Sequence, residues 1–180
     1  MNPEWRQDGR VRLAVYPGSF DPPTVAHLAI VAAARAHVDE VRLVLSEVAL
    51  GKEERAGRTA IDDRLAVLRA DGLAAVSTPA RLVVDIATEA GADAVVMGAD
   101  KWAQVLDPTW YGGIAARDAA VARLPTVLLA ERAGVALPGV GVPVVVLDVD
   151  PAHADVSATR ARAGEVDLMA PAARASGLWG

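Results

Sequence analysis

The chain of 180 residues contains no cysteine and few aromatic residues. The lack of cysteine excludes disulfide bonds and cysteine metal sites, and it suits a reducing compartment such as the cytoplasm. Aromatic residues make up 4% of the chain and hydrophobic residues 53%, so the core must consist mainly of alanine, valine and leucine. Such a core suits helices packed on a parallel sheet whose strands are buried on both faces.

Long apolar runs and an excess of positive charge are also missing. No apolar run approaches the roughly 18 residues that a membrane helix needs. The first ten residues are polar and have no signal-peptide core. The net charge of −5 argues against a general nucleic-acid-binding protein. We therefore expect a soluble cytoplasmic protein that binds neither membranes nor nucleic acids.

Apolar segments typical of buried strands alternate with segments typical of helices. The predicted strands are 11–15, 40–46, 74–77, 93–97, 125–130 and 142–147, and the predicted helices are 28–35, 60–70, 78–89, 157–163 and 170–180. Thr59 is the predicted N-cap of the second helix, and the segment 101–118 is predicted to be irregular. The alternation predicts an α/β fold: a Rossmann-like, doubly wound parallel sheet with helices on both faces, forming a single domain over residues 1–180.

Four polar segments follow predicted strands. They are the segment after strand one, the loop after strand two, the segment 98–100 and the segment that begins at Ser157. In open parallel sheets, ligands bind outside the carboxyl ends of the strands, where the strand order reverses. The sequence therefore predicts a binding cleft at this edge.

The segment 16–27, with the sequence YPGSFDPPTVAH, is the most informative part of the chain. A strand followed by a glycine turn and a helix start forms an anion site, because free N–H groups converge there. Gly18 allows a phosphate or a base to approach the main chain closely. Thr24 is a plausible N-cap, with His27 on the first helical turn. The alternative is an ordinary capped helix in which His27 has a structural partner.

This segment resembles the first signature of the nucleotidyltransferase superfamily, whose members transfer a nucleoside monophosphate from a triphosphate to a phosphate-bearing acceptor and release pyrophosphate. The matching residues are Gly18, Ser19, Phe20, Asp21, Pro22, Thr24 and His27. The resemblance implies that His27 contacts the α-phosphate, supported by Thr24, and that residues 18–21 bind the nucleotide. Ala26 stands where the family has glycine, and its methyl group could crowd the phosphate or base.

A second segment, Val156-Ser-Ala-Thr-Arg160, resembles the C-terminal signature of the same superfamily. The resemblance implies that the hydroxyls of Ser157 and Thr159, with a guanidinium from Arg160 or Arg162, bind the β- and γ-phosphates. The sequence leaves open which arginine does so. The alternative is a simple N-cap followed by solvated arginines.

A third segment, Gly98-Ala-Asp-Lys-Trp102, resembles one that lies near the adenosine in nicotinate and nicotinamide mononucleotide adenylyltransferases. By this resemblance Gly98 and Asp100 meet the nucleotide, with Asp100 accepting from ribose hydroxyls. Trp102 and Trp110 would lie near the acceptor's pyridine ring, where stacking on a pyridinium is favourable. The alternative is that both tryptophans are hydrophobic plugs over the sheet.

Lys52 aligns loosely with a basic residue of the same enzymes that would neutralise phosphate. The alternative is a solvated side chain, because the loop around it is rich in glutamate.

Taken together, the resemblance implies transfer of AMP from ATP to nicotinate or nicotinamide mononucleotide, with release of pyrophosphate, in NAD biosynthesis. Mg²⁺ would enter with the triphosphate, without a dedicated metal site in the protein. Two alternatives remain open: a pantetheine-phosphate adenylyltransferase or cytidylyltransferase, and a catalytically inactive nucleotide-binding module. Family members are often oligomeric, and the apolar end at Leu178 and Trp179 could pack on a second copy.

Overall fold

A computed structural model describes residues 12–48, 58–131 and 141–180. Its sheet has six parallel strands in the order β3-β2-β1-β4-β5-β6. The strands are β1 (Leu13–Pro17), β2 (Glu40–Ser46), β3 (Ala74–Thr78), β4 (Ala94–Gly98), β5 (Thr126–Ala130) and β6 (Val144–Val146). This all-parallel sheet confirms the predicted Rossmann-like α/β fold.

Helices connect the strands. They are α1 (Val25–Ala34), α2 (Ile61–Ala70), α3 (Val83–Glu89), α4 (Ala99–Leu106), α5 (Ile114–Val121), α6 (Ala158–Arg162) and α7 (Pro171–Ser176). Short 3-10 helices occupy Pro108–Trp110, Pro151–His153 and Val166–Leu168. Within the described residues, no helix is long and apolar enough to span a membrane.

Alternate residues of each strand face opposite sides of the sheet, as the period of two requires. In β1, Ala14 and Tyr16 belong to a buried cluster with residues of α1 and α2. Val15 belongs to a second cluster, which includes residues of α3, α4 and α5. The helices therefore cover both faces, as the alternating sequence pattern predicts.

A third buried cluster fixes the C-terminal segment to the rest of the fold. Met169, Ala170 and Ala173 pack there with Val67 of α2. The N–H of Ala170 donates to the carbonyl oxygen of Pro23 at 3.0 Å. The C-terminal segment therefore touches the same loop that carries the first signature.

The strand order reverses between β1 and β4. Their register joins only Ala14 to Ala94 and Val15 to Val95. By contrast, β1 stays paired with β2 as far as Pro17. The carboxyl ends of β1 and β4 are therefore free to part, and a crevice at this position is expected for the fold.

Three local predictions are wrong. Helix α3 begins at Val83 instead of residue 78, because the hydroxyl of Thr78 accepts from the N–H of Ala80 and closes a turn there. Helix α2 is capped at Ala60 and not at Thr59. The segment 101–118 is not irregular, since most of it belongs to α4, α5 and a 3-10 helix capped by Asp107.

Candidate active site

A cavity of about 370 Å³ opens at the crevice between β1 and β4. Four parts of the chain line it. The first signature contributes Gly18, Ser19, Phe20, Thr24, Ala26 and His27; the end of β4 contributes Gly98, Asp100 and Lys101; the end of β5 contributes Ala130 and Glu131; the segment after β6 contributes Asp150, His153 and Ser157. We call this space the large cleft. It brings together residues of all three sequence signatures.

His27 is held on the first turn of α1 by the residue that precedes the helix. The N–H of Thr24 donates to Nδ1 of His27 at 2.9 Å, and the hydroxyl of Thr24 lies 2.9 Å from the same nitrogen. Because Nδ1 accepts a main-chain hydrogen bond, the proton of the neutral imidazole lies on Nε2. Nε2 is therefore a hydrogen-bond donor on the side of the ring away from Thr24.

Phe20 supports the imidazole from beneath. Its ring meets His27 edge to face, with centroids 4.9 Å apart, and meets Tyr16 in the same way at 5.2 Å. Phe20 has a positive φ of 44°, a conformation that costs free energy for a side-chain-bearing residue. A Cβ on Gly18 would lie 2.7 Å from the Phe20 ring. Glycine at position 18 is therefore required by the packing of Phe20.

Asp21 does not face the large cleft. The residue is 2% exposed, and Oδ1 accepts from the indole Nε1 of Trp179 at 2.7 Å. The second oxygen, Oδ2, lies 3.7 Å from Nε of Arg58. The structure therefore places Asp21 behind the signature loop, where it supports the loop's conformation, instead of against a nucleotide as the resemblance implied.

Arg64 also holds the signature loop from behind. Its guanidinium donates to the carbonyl oxygens of Ser19 at 2.7 Å and Thr59 at 2.9 Å, and the residue is 4% exposed. Burial lowers the pKa of Arg64, the nearby charge of Arg58 lowers it further, and Asp21 opposes both effects. Arg64 is thus a buried member of the fold and not a solvated cation.

The second signature begins α6, with Ser157 as its N-cap. The hydroxyl of Ser157 accepts from the N–H of Arg160 at 3.2 Å, and Ser157 lines the large cleft. Thr159 is exposed and does not line it; its hydroxyl accepts from Arg162 at 3.1 Å. Val156, Ser157 and Ala158 of this signature therefore reach the cavity, whereas Thr159 does not.

The two candidate arginines differ in their surroundings. Arg160 turns to the surface, where it pairs with Glu165 and donates to the carbonyl oxygen of Asp155 at 2.8 Å. Arg162 instead donates to the carbonyl oxygen of Asp21 in the first signature. The structure therefore brings Arg162, and not Arg160, into contact with the first signature.

A second, smaller cavity adjoins the large cleft. Its lining includes Ser46, Arg81, Gln104, Trp110 and Tyr111, and it shares Pro17, Gly18, Ser19 and Lys101 with the large cleft. We call this space the small pocket. Trp110 and Tyr111 are half-buried there, and burial raises the pKa of the Tyr111 hydroxyl. The small pocket thus offers aromatic rings beside two basic residues.

The two predicted tryptophans have different positions. Trp110 lines the small pocket, whereas Trp102 is 1% exposed and lies in the core beneath α4 and α5. Trp102 faces the core because it shares one side of α4 with Val105 and Leu106, three and four positions further on, which are buried in the same cluster. The prediction that Trp102 lies beside a ligand is therefore corrected. Lys52 falls outside the described residues.

Sequence reasoning missed three residues that line the cavities. His153 has no role in the sequence argument, yet it lies four residues before Ser157 on the wall of the large cleft. Arg81 and Lys101 were also missed, although Lys101 follows the predicted site residue Asp100 directly. The signal that could have found them is position: each follows the carboxyl end of a parallel strand.

Carboxylates as well as basic groups line the large cleft. Asp100, Glu131 and Asp150 contribute to its wall. Among the residues that the structure describes, no group of three or more histidine or acidic side chains is arranged to hold a metal ion.

The chain belongs to the cytidylyltransferase-like family, a family of nucleotidyltransferases, whose model matches residues 15–164. The match includes both signatures and nearly all of the sheet. The class of protein that the fold and the crevice indicate is therefore also the class to which the sequence belongs.

The curated relatives that the chain matches are named as phosphopantetheine adenylyltransferases. The phosphopantetheine adenylyltransferase of Corynebacterium diphtheriae is 37% identical over 92 residues, which cover 49% of this chain and 56% of the relative. That of Cutibacterium acnes is 38% identical over 90 residues, covering 47% of this chain and 54% of the relative. The chain thus spans about half the length of the curated relatives that it matches.

Among solved structures, the nicotinic acid mononucleotide adenylyltransferase of Plasmodium falciparum, complexed with APC, has a similar fold. Its TM-score is 0.55 with 14% identity, covering 86% of this chain and 83% of that one. At this identity the likeness concerns the fold alone.

Proposed function

We propose that the protein transfers AMP from ATP to nicotinate or nicotinamide mononucleotide and releases pyrophosphate. The observation that carries the proposal is the pair of adjoining cavities, which share the signature residues Gly18 and Ser19. A transfer between two phosphates requires a donor site and an acceptor site that meet at the reacting phosphorus. The large cleft would hold ATP, and the small pocket would hold the acceptor.

The small pocket supports a flat, anionic acceptor. Trp110 and Tyr111 supply aromatic faces for a pyridinium ring. Arg81 supplies a positive charge for a phosphate or carboxylate. Since the aromatic rings and the charge lie in one small space, a pyridine mononucleotide fits its chemistry.

In the proposed reaction an oxygen of the acceptor phosphate attacks the α-phosphorus of ATP. A new P–O bond forms, the bond to the α,β-bridging oxygen breaks, and pyrophosphate leaves with its electron pair. The acceptor phosphate is already anionic at neutral pH, so no general base is needed. Mg²⁺ would be held by the oxygens of the triphosphate and would neutralise charge on the leaving group.

His27 has the clearest role in this mechanism. Its Nε2–H would donate to a phosphate oxygen as negative charge grows in the transition state. The main-chain bond from Thr24 to Nδ1 fixes the tautomer that makes this donation possible. Ser157, the N-cap of α6 on the wall of the large cleft, would receive the outer phosphates.

The experiment is a matrix of pyrophosphate-release assays with purified protein. Mg²⁺–ATP and Mg²⁺–CTP are each paired with nicotinate mononucleotide, nicotinamide mononucleotide and 4′-phosphopantetheine. We expect release with ATP and a pyridine mononucleotide, and a loss of about 10²–10³-fold in kcat for His27→Ala. Release with phosphopantetheine alone would contradict the proposed acceptor.

Phosphopantetheine is the second candidate acceptor, because the relatives at 35–38% identity are named as phosphopantetheine adenylyltransferases. A third possibility is a nucleotide-binding module without turnover. Binding of Mg²⁺–ATP without pyrophosphate release in any combination would favour that possibility and contradict the proposal.

A further inference from the structure

Lys101 lies on the wall between the two cavities. It is half-buried on the first turn of α4 and lines both the large cleft and the small pocket. The other shared residues, Pro17, Gly18 and Ser19, carry no charge. Lys101 is therefore the one ionisable side chain common to the two cavities in the part of the chain that the structure describes.

A neighbouring residue fixes the position of this ammonium group. The Nζ of Lys101 donates to Oε1 of Gln104 at 2.7 Å, one turn further along α4. Gln104 lines the small pocket. The bond therefore holds the charge on the acceptor side of the shared wall, close to where β1 ends.

The positive charge of Lys101 lies beside a cleft whose wall carries several negative charges. Asp100, Glu131 and Asp150 give the wall negative charges that would repel a triphosphate. Of the basic side chains placed by the structure, Arg81 lines only the small pocket, and Arg162 donates to Asp21. A donor phosphate and an acceptor phosphate must nevertheless approach each other at the shared wall, against their mutual repulsion.

We propose that Lys101 binds the α-phosphate of the donor nucleotide and the phosphate of the acceptor at the same time, and so brings the reacting groups together. This inference rests on the proposed function. The ammonium stays protonated throughout: it transfers no proton, forms no covalent bond and lowers the barrier by neutralising charge. In this role Lys101 is a catalytic residue, because it touches both substrates.

The test compares Lys101→Gln with Lys101→Arg. Loss of the charge in Lys101→Gln should lower kcat by about 10²-fold. The same change should weaken the affinity for the Mg²⁺ complex of α,β-methylene-ATP by about tenfold, as expected for loss of one charge-assisted contact. Lys101→Arg keeps the charge and should restore most of both quantities. Thermal unfolding of each variant shows whether the fold is intact.

Two control variants each change a residue that lines only one of the two cavities. Trp110→Leu alters only the small pocket and should raise the KM of the acceptor without changing the affinity for the ATP analogue. His153→Ala alters only the large cleft. It should weaken the affinity for the ATP analogue without changing the KM of the acceptor. Lys101→Gln should affect both substrates, because the residue lines both cavities. An effect of Lys101→Gln on one substrate alone would overturn the inference.

A readout without catalysis separates this inference from the proposed function. Lysine occurs only at positions 52 and 101, so reductive ¹³C-dimethylation gives few NMR signals, and the spectrum of Lys101→Arg identifies the one from Lys101. We expect that signal to shift with α,β-methylene-ATP and again with the acceptor.

The outcomes are then distinguishable. Absence of turnover with every acceptor would contradict the proposed function, while a shift with the analogue would still support contact between Lys101 and the nucleotide. A signal that stays unchanged when the analogue binds, together with unchanged affinity in Lys101→Gln, would overturn the inference whatever the turnover.

Discussion

The indole Nε1 of Trp179 donates a hydrogen bond to Oδ1 of Asp21 across 158 positions of sequence, at 2.7 Å. Asp21 is 2% exposed, so its carboxylate depends on protein partners for stabilisation. The bond joins the C-terminal segment to the loop that leads into Thr24 and α1, the helix that carries His27. The conformation of the candidate catalytic loop therefore depends on a residue remote from it in sequence.

We predict that Trp179→Phe destabilises the protein and lowers the nucleotide affinity. The ring would still pack, but the buried carboxylate would lose a donor, at a cost of about 1–3 kcal/mol in the free energy of unfolding. Denaturant unfolding and titration with Mg²⁺–ATP measure the two effects. Leu178→Ala is the control, because Leu178 is 43% exposed and its truncation should change neither quantity. Equal effects of the two substitutions would contradict the prediction.

Gly18→Ala should damage the site through Phe20. The new methyl group would lie 2.7 Å from a ring that Tyr16 and His27 hold in place, so the ring must push against the imidazole. We expect at least a tenfold loss of affinity for Mg²⁺–ATP, with overpacking costing about 1–3 kcal/mol in stability. The double variant with Phe20→Leu has room for the methyl group and should recover part of both losses. No recovery would mean that the methyl group acts directly on the ligand.

The two arginines of the second signature should respond differently to truncation. Arg162→Ala removes the contact with the Asp21 carbonyl, and we expect the affinity for Mg²⁺–ATP to fall by about tenfold. Arg160→Ala removes an exposed ion pair with Glu165 and should leave the affinity unchanged, since such pairs contribute little. Calorimetric titration of both variants checks this. A larger effect at Arg160 would show that its side chain turns inward when ATP binds.

At alkaline pH the tyrosines should ionise together with unfolding of the protein. Burial raises the pKa of both tyrosines, Tyr16 and Tyr111, above the ordinary value of 10.0. A folded-state pKa above the unfolded one gives stability that is complete below pH 10 and is lost as pH rises beyond it. Absorbance at 295 nm, followed against circular dichroism, should show tyrosinate appearing together with unfolding. Half-ionisation of both tyrosines at pH 10 in folded protein, as for groups with the ordinary pKa of 10.0, would contradict the assignment.

The sequence predicts the elements of the sheet well because apolar residues, valine and leucine above all, dominate the central strands. The bounds of β2, Glu40–Ser46, are the predicted ones, and the remaining strands lie within three residues of prediction. The region of α4 and α5 was missed because Pro108, Gly112 and Gly113 interrupt it. In the structure these residues separate the two helices, since both glycines have positive φ.

Motifs locate the site but do not fix the direction of each side chain. Thr24 and His27 line the cleft as the first signature implies, whereas Asp21 in the same signature points away from it. Trp102 and Asp100 are two positions apart on α4, and the helical turn sends one to the core and the other to the cleft. Such choices depend on distant partners such as Trp179, which local sequence does not reveal.

The short seam between β1 and β4 has a consequence for the order of events in folding. Its pairing is reinforced by a bond from the N–H of Leu13 to Oδ2 of Asp93, 80 positions away, so closing it carries a large loop entropy. We expect the half that carries β2 and β3 to form around β1 first and the seam to close late. A nucleotide bound to both strands would then hold them together. It would slow unfolding more than it speeds folding, because the contacts between β1 and β4 are absent from the transition state.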